Sequence, residues 1–148
     1  MPETTRENLG FLLAKASQRW NELLAERFAA AGFPEVRPSY GSILVPLFEE
    51  DGLRMGEIAR RARLSKQTMT TMVRLLERDG LVERRPDPTD ARASLVFLTG
   101  RAKAFRPVAE ETLRELGRRA RRRLGARATD TLTAGLRLLA ELDEEEAG

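Results

Sequence analysis

Apolar positions recur with a helical period through most of this chain and give way to a denser β-type pattern only in its middle. Leu9, Leu12, Leu13, Ala16, Trp20, Leu23, Leu24 and Phe28 share one stripe when wound at 3.6 residues per turn. They predict a long first helix over residues 5–31, ended by Gly32 with Pro34 soon after. Ile43, Leu44, Leu47 and Phe48 predict a second helix from Pro38 to Gly52. Pro46 inside it implies a kink or a shorter helix, because an interior proline removes a ladder bond and costs about 3 kcal/mol. Leu53 to Met55 reads as short and extended, and GEIARRARL, with Ile58, Ala59 and Ala62 on one side, as a third helix. A fourth follows over SKQTMTTMVRLLERDG, residues 65–80, with Ser65 as its N-cap and Gly80 just past its end. LVERR and ASLVFLT flank the loop PDPTDAR; their Val, Leu and Phe content predicts a β-hairpin with a longish tip. Two closing helices, over 101–124 and 128–143, carry Phe105, Ala109, Leu113, Leu116 and Ala120, then Leu132, Leu136 and Leu139.

The fourth helix divides into two unlike faces. Met69, Met72, Val73 and Leu76 make the apolar one; Gln67, Thr70, Thr71, Arg74 and Arg78 make the other, with no acid among them. Two helices joined by a short turn, the second polar on its outer side, form a helix-turn-helix, and the hairpin adds a wing. The expected fold class is therefore mainly α with a small β-hairpin wing. A helix that enters the DNA major groove needs donors and acceptors for base edges: Gln for adenine, Arg for guanine, a Thr methyl for the thymine methyl. Gln67, Thr70, Thr71 and Arg74 carry that chemistry on one stripe. Ser65 and Lys66, at the positive end of the helix, suit phosphate oxygens. The plainer alternative is a solvated face of middling polarity; the position between GEIARRARL and the hairpin favours DNA.

Length and composition narrow the alternatives. The 148 residues fit one domain, with 41% hydrophobic and 33% charged residues. No apolar run is long enough for a bilayer-spanning helix, and MPETTRENLG lacks the basic-then-apolar order of a secretory signal. With zero cysteines there is no disulfide framework, and a cytoplasmic location is the default. Zero histidines removes the Ser-His-Asp arrangement and the histidine metal ligand. No nucleophile–base pair or metal cluster is visible, so an enzyme is not expected, and no cofactor. The formal net charge is +3 and the only lysines are Lys15, Lys66 and Lys103. Arginine richness fits phosphate and guanine recognition, but the codon bias of a GC-rich genome is the favoured account of it.

Residues 53–99, LRMGEIARRARLSKQTMTTMVRLLERDGLVERRPDPTDARASLVFLT, resemble the winged helix-turn-helix of MarR-type (multiple antibiotic resistance regulator) transcription factors. The family's wing signature is D-x-R, five residues, then L-T; here it is Asp90, Ala91, Arg92, ASLVF, Leu98 and Thr99. The flanking helices match in length and order. Departures are Gly100, where a charge is common, and Pro46. The resemblance implies that Arg92 reaches the minor groove or its phosphates, with Asp90 holding it by a charge-assisted hydrogen bond. Arg84 and Arg85 flank the wing and could meet phosphates, although alternate strand residues point to opposite faces. For Asp90 and Arg92 the alternative is an ion pair that merely stabilises the loop.

The same resemblance implies a homodimer on an inverted-repeat operator in double-stranded DNA. It divides the single domain into a DNA-binding lobe, 38–99, and dimerisation helices, 5–31 and 101–143. Helices of this reach, about 27 residues and roughly 40 Å for the first, need a further surface to bury their stripes. Two-fold symmetry would set the recognition helices about 34 Å apart. The family is typically a repressor released by a small, often phenolic, anionic effector. Trp20, Tyr40, Phe48, Phe105 and Arg106 could supply its aromatic walls and anion partner, or could serve core and surface. The run RRARRR, 118–123, could pair with the acidic end DEEE, 143–146, or be solvated. A winged-helix module that binds a protein rather than DNA is the alternative function.

Overall fold

The structure, a computed structural model, describes residues 6–143. They form two compact units, one through Glu110 and one from Glu111. Helix α1 spans Leu9–Ala30, 22 residues rather than the 27 expected. Asn8 sets the start: it is extended, and its side-chain oxygen accepts the Phe11 N–H at 2.9 Å. That cap satisfies one of the amides a helix leaves open at its first turn. Residue 5, the expected start, lies outside the described residues. Leu24 and Phe28 of α1 are buried, and Phe28 and Phe33 meet Phe105 edge-on with ring centroids 4.7 and 5.3 Å apart.

The second helix is also shorter than its pattern. Pro38–Tyr40 is a 3-10 turn, and α2 runs only over Gly41–Glu49. Pro46 is tolerated inside a helix of nine residues, where its missing N–H forfeits a single bond. Leu53–Arg54 is strand β1, α3 is Met55–Ala62 and α4 is Lys66–Arg78. The turn between the two helices bends at Arg63, which takes the left-handed conformation at φ 55°. Ser65 caps α4 as expected, its hydroxyl accepting the Thr68 N–H at 3.1 Å. Gly80 leaves the far end at φ 76°, where a side chain would be strained.

The sheet holds one strand more than the hairpin. Strands β2, Val82–Asp87, and β3, Asp90–Leu98, pair antiparallel, and β1 adds on the other side of β3 through Leu53 to Val96 and Arg54 to Leu95. The expected longish tip is a tight turn at Pro88 and Thr89, because pairing reclaims most of PDPTDAR. Pro86 pairs with Ser94 but Asp87 with Asp90. The three residues Ala91, Arg92 and Ala93 therefore bulge from β3. Gly52, φ 69°, precedes β1; a Cβ there would lie 2.7 Å from the Phe97 ring.

Ile43, Leu44, Leu47, Ile58, Met69, Val73, Leu76, Leu81 and Val96 are fully buried and form one core beneath α2, α3, α4 and the sheet. Met72 is only half-buried. Thr99 explains the L-T of the wing signature. Its hydroxyl donates to the Gly80 carbonyl at 2.7 Å and accepts the Ala102 N–H at 3.2 Å, so it ties the end of α4 to the start of the next helix. That helix, α5, is Gly100–Leu124; Gly125, φ 87°, separates it from α6, Ala126–Ala140. Helix α6 buries none of its residues. No helix among the described residues is long and apolar enough to cross a membrane.

Candidate nucleic-acid interface

The polar face of α4 stands in solvent, held from behind by Met69, Val73 and Leu76. Gln67, Thr71 and Arg74 are exposed and Thr70 is half-buried. The threonine hydroxyls turn inward: Thr70 donates to the Lys66 carbonyl at 2.8 Å and Thr71 to the Gln67 carbonyl at 3.1 Å. Their protons are spent, so each offers a methyl group and oxygen lone pairs outward. Ser65 is spent likewise, on its cap and on Thr68 Oγ1 at 2.9 Å. The side chains of Lys66, Gln67 and Arg74 have no hydrogen-bond or ion-pair partner among the described residues.

Nearby arginines differ in this respect. Arg60 and Arg61 both bind Glu57, at 2.5 and 2.8 Å, and Arg61 also reaches Glu50. Those guanidinium hydrogen bonds pull the Glu57 carboxyl down to about 2. Arg78 binds Asp79 at 3.2 Å, and the buried Tyr40 hydroxyl donates to the same carboxylate. The Tyr40 bond first, then Arg78, holds Asp79 below the usual carboxylate range; burial chiefly pushes the Tyr40 phenol up.

The wing holds Arg92 differently from the expectation. Asp90 accepts the backbone N–H of Arg92 at 3.0 Å, not its guanidinium. The three-residue bulge puts the amide, and not the side chain, within reach of Asp90. The Arg92 guanidinium is unpaired among the described residues and exposed. Arg84 and Arg85, expected at phosphates, have internal partners. Arg84 binds Glu77 of α4 at 2.8 Å; Arg85 binds Glu83 and lies 4.2 Å above the Phe97 ring. Sequence patterns did not single out Arg54, Asp87 and Thr89. Asp87 is 6% exposed and accepts Arg54 Nε at 2.6 Å and the Thr89 N–H and hydroxyl at 2.8 Å each. The Thr89 bonds chiefly hold its carboxyl low. Asp-Pro-Thr does carry the local signal for such a side-chain-closed turn; the Arg54 partner, 33 residues away, has none.

The five effector candidates do not form one constellation. Phe105 is buried against Phe28 and Phe33, and Tyr40 is buried with its hydroxyl committed to Asp79. Phe48 and Arg106 do meet: the guanidinium donates to the Phe48 carbonyl at 3.0 Å and sits 5.4 Å from its ring, while binding Glu110 at 2.7 Å. Trp20 is half-buried on α1. In the arginine run, Arg118 binds Glu111 at 3.4 Å and Arg121 binds Asp130 at 3.1 Å. Residues 144–146 of the acidic end lie outside the described residues.

Residues 38–94 match the MarR family, which covers the turn before α2 through most of β3. Over residues 38–94 the chain carries a MarR-family domain. It is 31% identical over 105 residues to the HTH-type transcriptional regulator TtmR of Methylorubrum extorquens, 71% of this chain and 52% of that protein. The chain spans about half the length of the curated relatives it matches. Among solved structures, a probable transcriptional regulator from Pseudomonas aeruginosa superposes with a TM-score of 0.76 at 28% identity, over 90% of this chain and 97% of that one. The transcriptional repressor CouR, bound to a 23-mer DNA duplex, does so at 0.77 and 25% identity, over 95% and 98%. Members of the family are transcription regulators rather than enzymes, and the winged-helix architecture is theirs.

Proposed function

We propose that this chain is a MarR-family, sequence-specific DNA-binding transcriptional regulator that acts as a homodimer in the cytoplasm. One observation carries the reading. Among the described residues Lys66 and Arg74 on α4 and Arg92 on the wing have no partner for their side-chain charge, while Arg54, Arg60, Arg61, Arg78, Arg84 and Arg85 around them are neutralised by carboxylates. Internal pairing cancels the field of the second group, so the positive potential concentrates on the acid-free face. Gln67 and Arg74 then read base edges, Thr70 and Thr71 present methyl groups and acceptors, and Lys66 and Arg92 meet phosphates. CouR, similar over nearly its whole length, is bound to duplex DNA.

The regulator is a repressor released by an aromatic anion. Phe48 and Arg106 supply a ring and a cation side by side, and Glu110 would have to yield Arg106 to the incoming carboxylate. The test is a gel shift on the DNA upstream of the protein's own coding sequence, beside a scrambled duplex. A shift that prefers the upstream fragment, weakens with salt and is reversed by an aromatic acid supports the whole reading. Salt-independent or absent binding to both duplexes overturns the DNA partner and favours a protein-binding module. Binding that no aromatic acid reverses overturns the effector alone.

A further inference from the structure

The wing tip is built around a carboxylate that no DNA-facing role explains. Asp87 ends β2 almost wholly buried, and its side chain takes three hydrogen bonds: the Thr89 N–H and hydroxyl on one oxygen and Arg54 Nε on the other. A second nitrogen of Arg54 donates to Thr89 Oγ1 at 3.1 Å. Arg54 therefore grips both the turn residue and the carboxylate beneath it. It comes from β1, the short strand that leads directly into α3, so the grip joins the helix-turn-helix to the tip of the wing. The next side chains along are Asp90, which holds the Arg92 amide, and Arg92 itself, in a bulge with no cross-strand partner.

A two-stranded ribbon is marginal by itself, and a bulge weakens its ladder further. The tip needs another source of order if Arg92 is to meet DNA without a large entropy cost. We propose that Asp87, Arg54 and Thr89 form a latch whose task is to position Arg92; they are positioning residues and do not touch DNA. The charges of the latch cancel, which suits a part that sits close to phosphates without attracting them. Burial of Asp87 protects its bonds from competition by water. The inference rests on the proposed DNA-binding function.

Asp87→Asn and Thr89→Val test it, with Arg92→Ala and the double variant Asp87→Asn/Arg92→Ala. The full-length chain is titrated against one labelled duplex of mixed sequence across a salt series. Thr89 is exposed, so Thr89→Val loosens the latch without disturbing the core should Asp87→Asn fold poorly. Each latch variant is expected to weaken binding about tenfold, the worth of one lost charge-assisted contact. Each should also flatten the log–log salt slope by about 0.9 per lobe, one phosphate fewer in each, and so by about 1.8 for the proposed dimer. Hydrogen exchange at the Arg92 amide should quicken. The decisive comparison is the double variant, which should bind no worse than Arg92→Ala alone. If Arg92→Ala weakens binding and both latch variants bind as the parent does, the latch is overturned while the DNA reading stands. Additive losses in the double variant overturn it equally, since Asp87 would then act other than through Arg92. A parent chain that ignores the duplex at low salt overturns the DNA reading itself.

Discussion

A guanidinium in this lobe acts according to its partner. Arg84 sits close in sequence to the wing and carries the charge a phosphate wants, yet Glu77 lies 2.8 Å from it. Arg74 occupies the same helix as Glu77, one turn earlier, and has no such neighbour among the described residues. Exposed pairs contribute little stability, so on the proposed function the pairing would serve to choose which cations DNA meets. On the proposed function, base reading falls to Gln67 and Arg74, the two exposed side chains of α4 with bidentate geometry and no internal bond among the described residues. Replacing either by Ala should cost about 1–3 kcal/mol of discrimination at particular base pairs and little on a random duplex. Binding to a panel of single-base operator variants checks this. Equal losses on operator and random DNA would assign both residues to the backbone. Thr70 and Thr71 have already donated their protons to the helix, so any preference they confer is for a thymine methyl or a base donor.

Among the elements, what could be read in advance was whatever a local pattern records. The apolar faces of α3 and α4, the Ser65 cap and the Gly80 exit follow from residues within a turn or two of each other. Strand β1 has two residues, too few for any period, and exists because Val96 and Leu95 lie beside it. The tip differs from its pattern because Pro and Asp mark loops, whereas here Pro86 and Asp87 are drawn into β2 by pairing and the slack is taken up as a bulge. The α4 face was legible in the same way; the Tyr40–Asp79 and Arg54–Asp87 contacts, 39 and 33 residues apart, were not, since no spacing rule reaches so far. Helix α3 carries a pH signature of its own. Glu57 has its carboxyl lowered from 4.5 to about 2 by Arg60 and Arg61. A lowered carboxyl binds fewer protons in the folded chain, so its stabilisation is complete above pH 4.5 and is lost as the pH falls toward 2. Glu57→Gln should therefore lower the urea midpoint at pH 7, with the deficit closing across that interval. A deficit that stays constant down to pH 2 would mean that the ion pairs contribute nothing and that the substitution acts by packing.

At the scale of the whole molecule, the described surface leaves apolar stripes without cover. On α6, Leu132, Leu136 and Leu139 are 49%, 41% and 37% exposed, at the i, i+4, i+7 spacing of one face. On α1, Leu9, Phe11 and Leu12 are exposed as well. A helix that buries none of its own residues has little reason to persist in water unless something covers it, since short isolated helices are marginal there. A second copy of the chain is the occupant that also serves the proposed function, because it doubles the number of phosphate contacts. If Lys66 and Arg92 each neutralise one phosphate, a single lobe gives a salt slope of about −1.8 and a pair of lobes about −3.6. The double variant Leu132→Glu/Leu136→Glu places charge on the exposed stripe and not in a core, so the fold should survive, as circular dichroism would register. It should run as a monomer in sedimentation, halve the salt slope and lose most of its affinity for an inverted repeat, while a single half-site is bound as before. A parent chain that sediments as a monomer, or a variant that stays dimeric, would remove the symmetric dimer, and with it the expectation of a palindromic operator. A monomeric variant with an unchanged slope would show instead that one lobe makes all the phosphate contacts, and that the second copy is there to cover leucines.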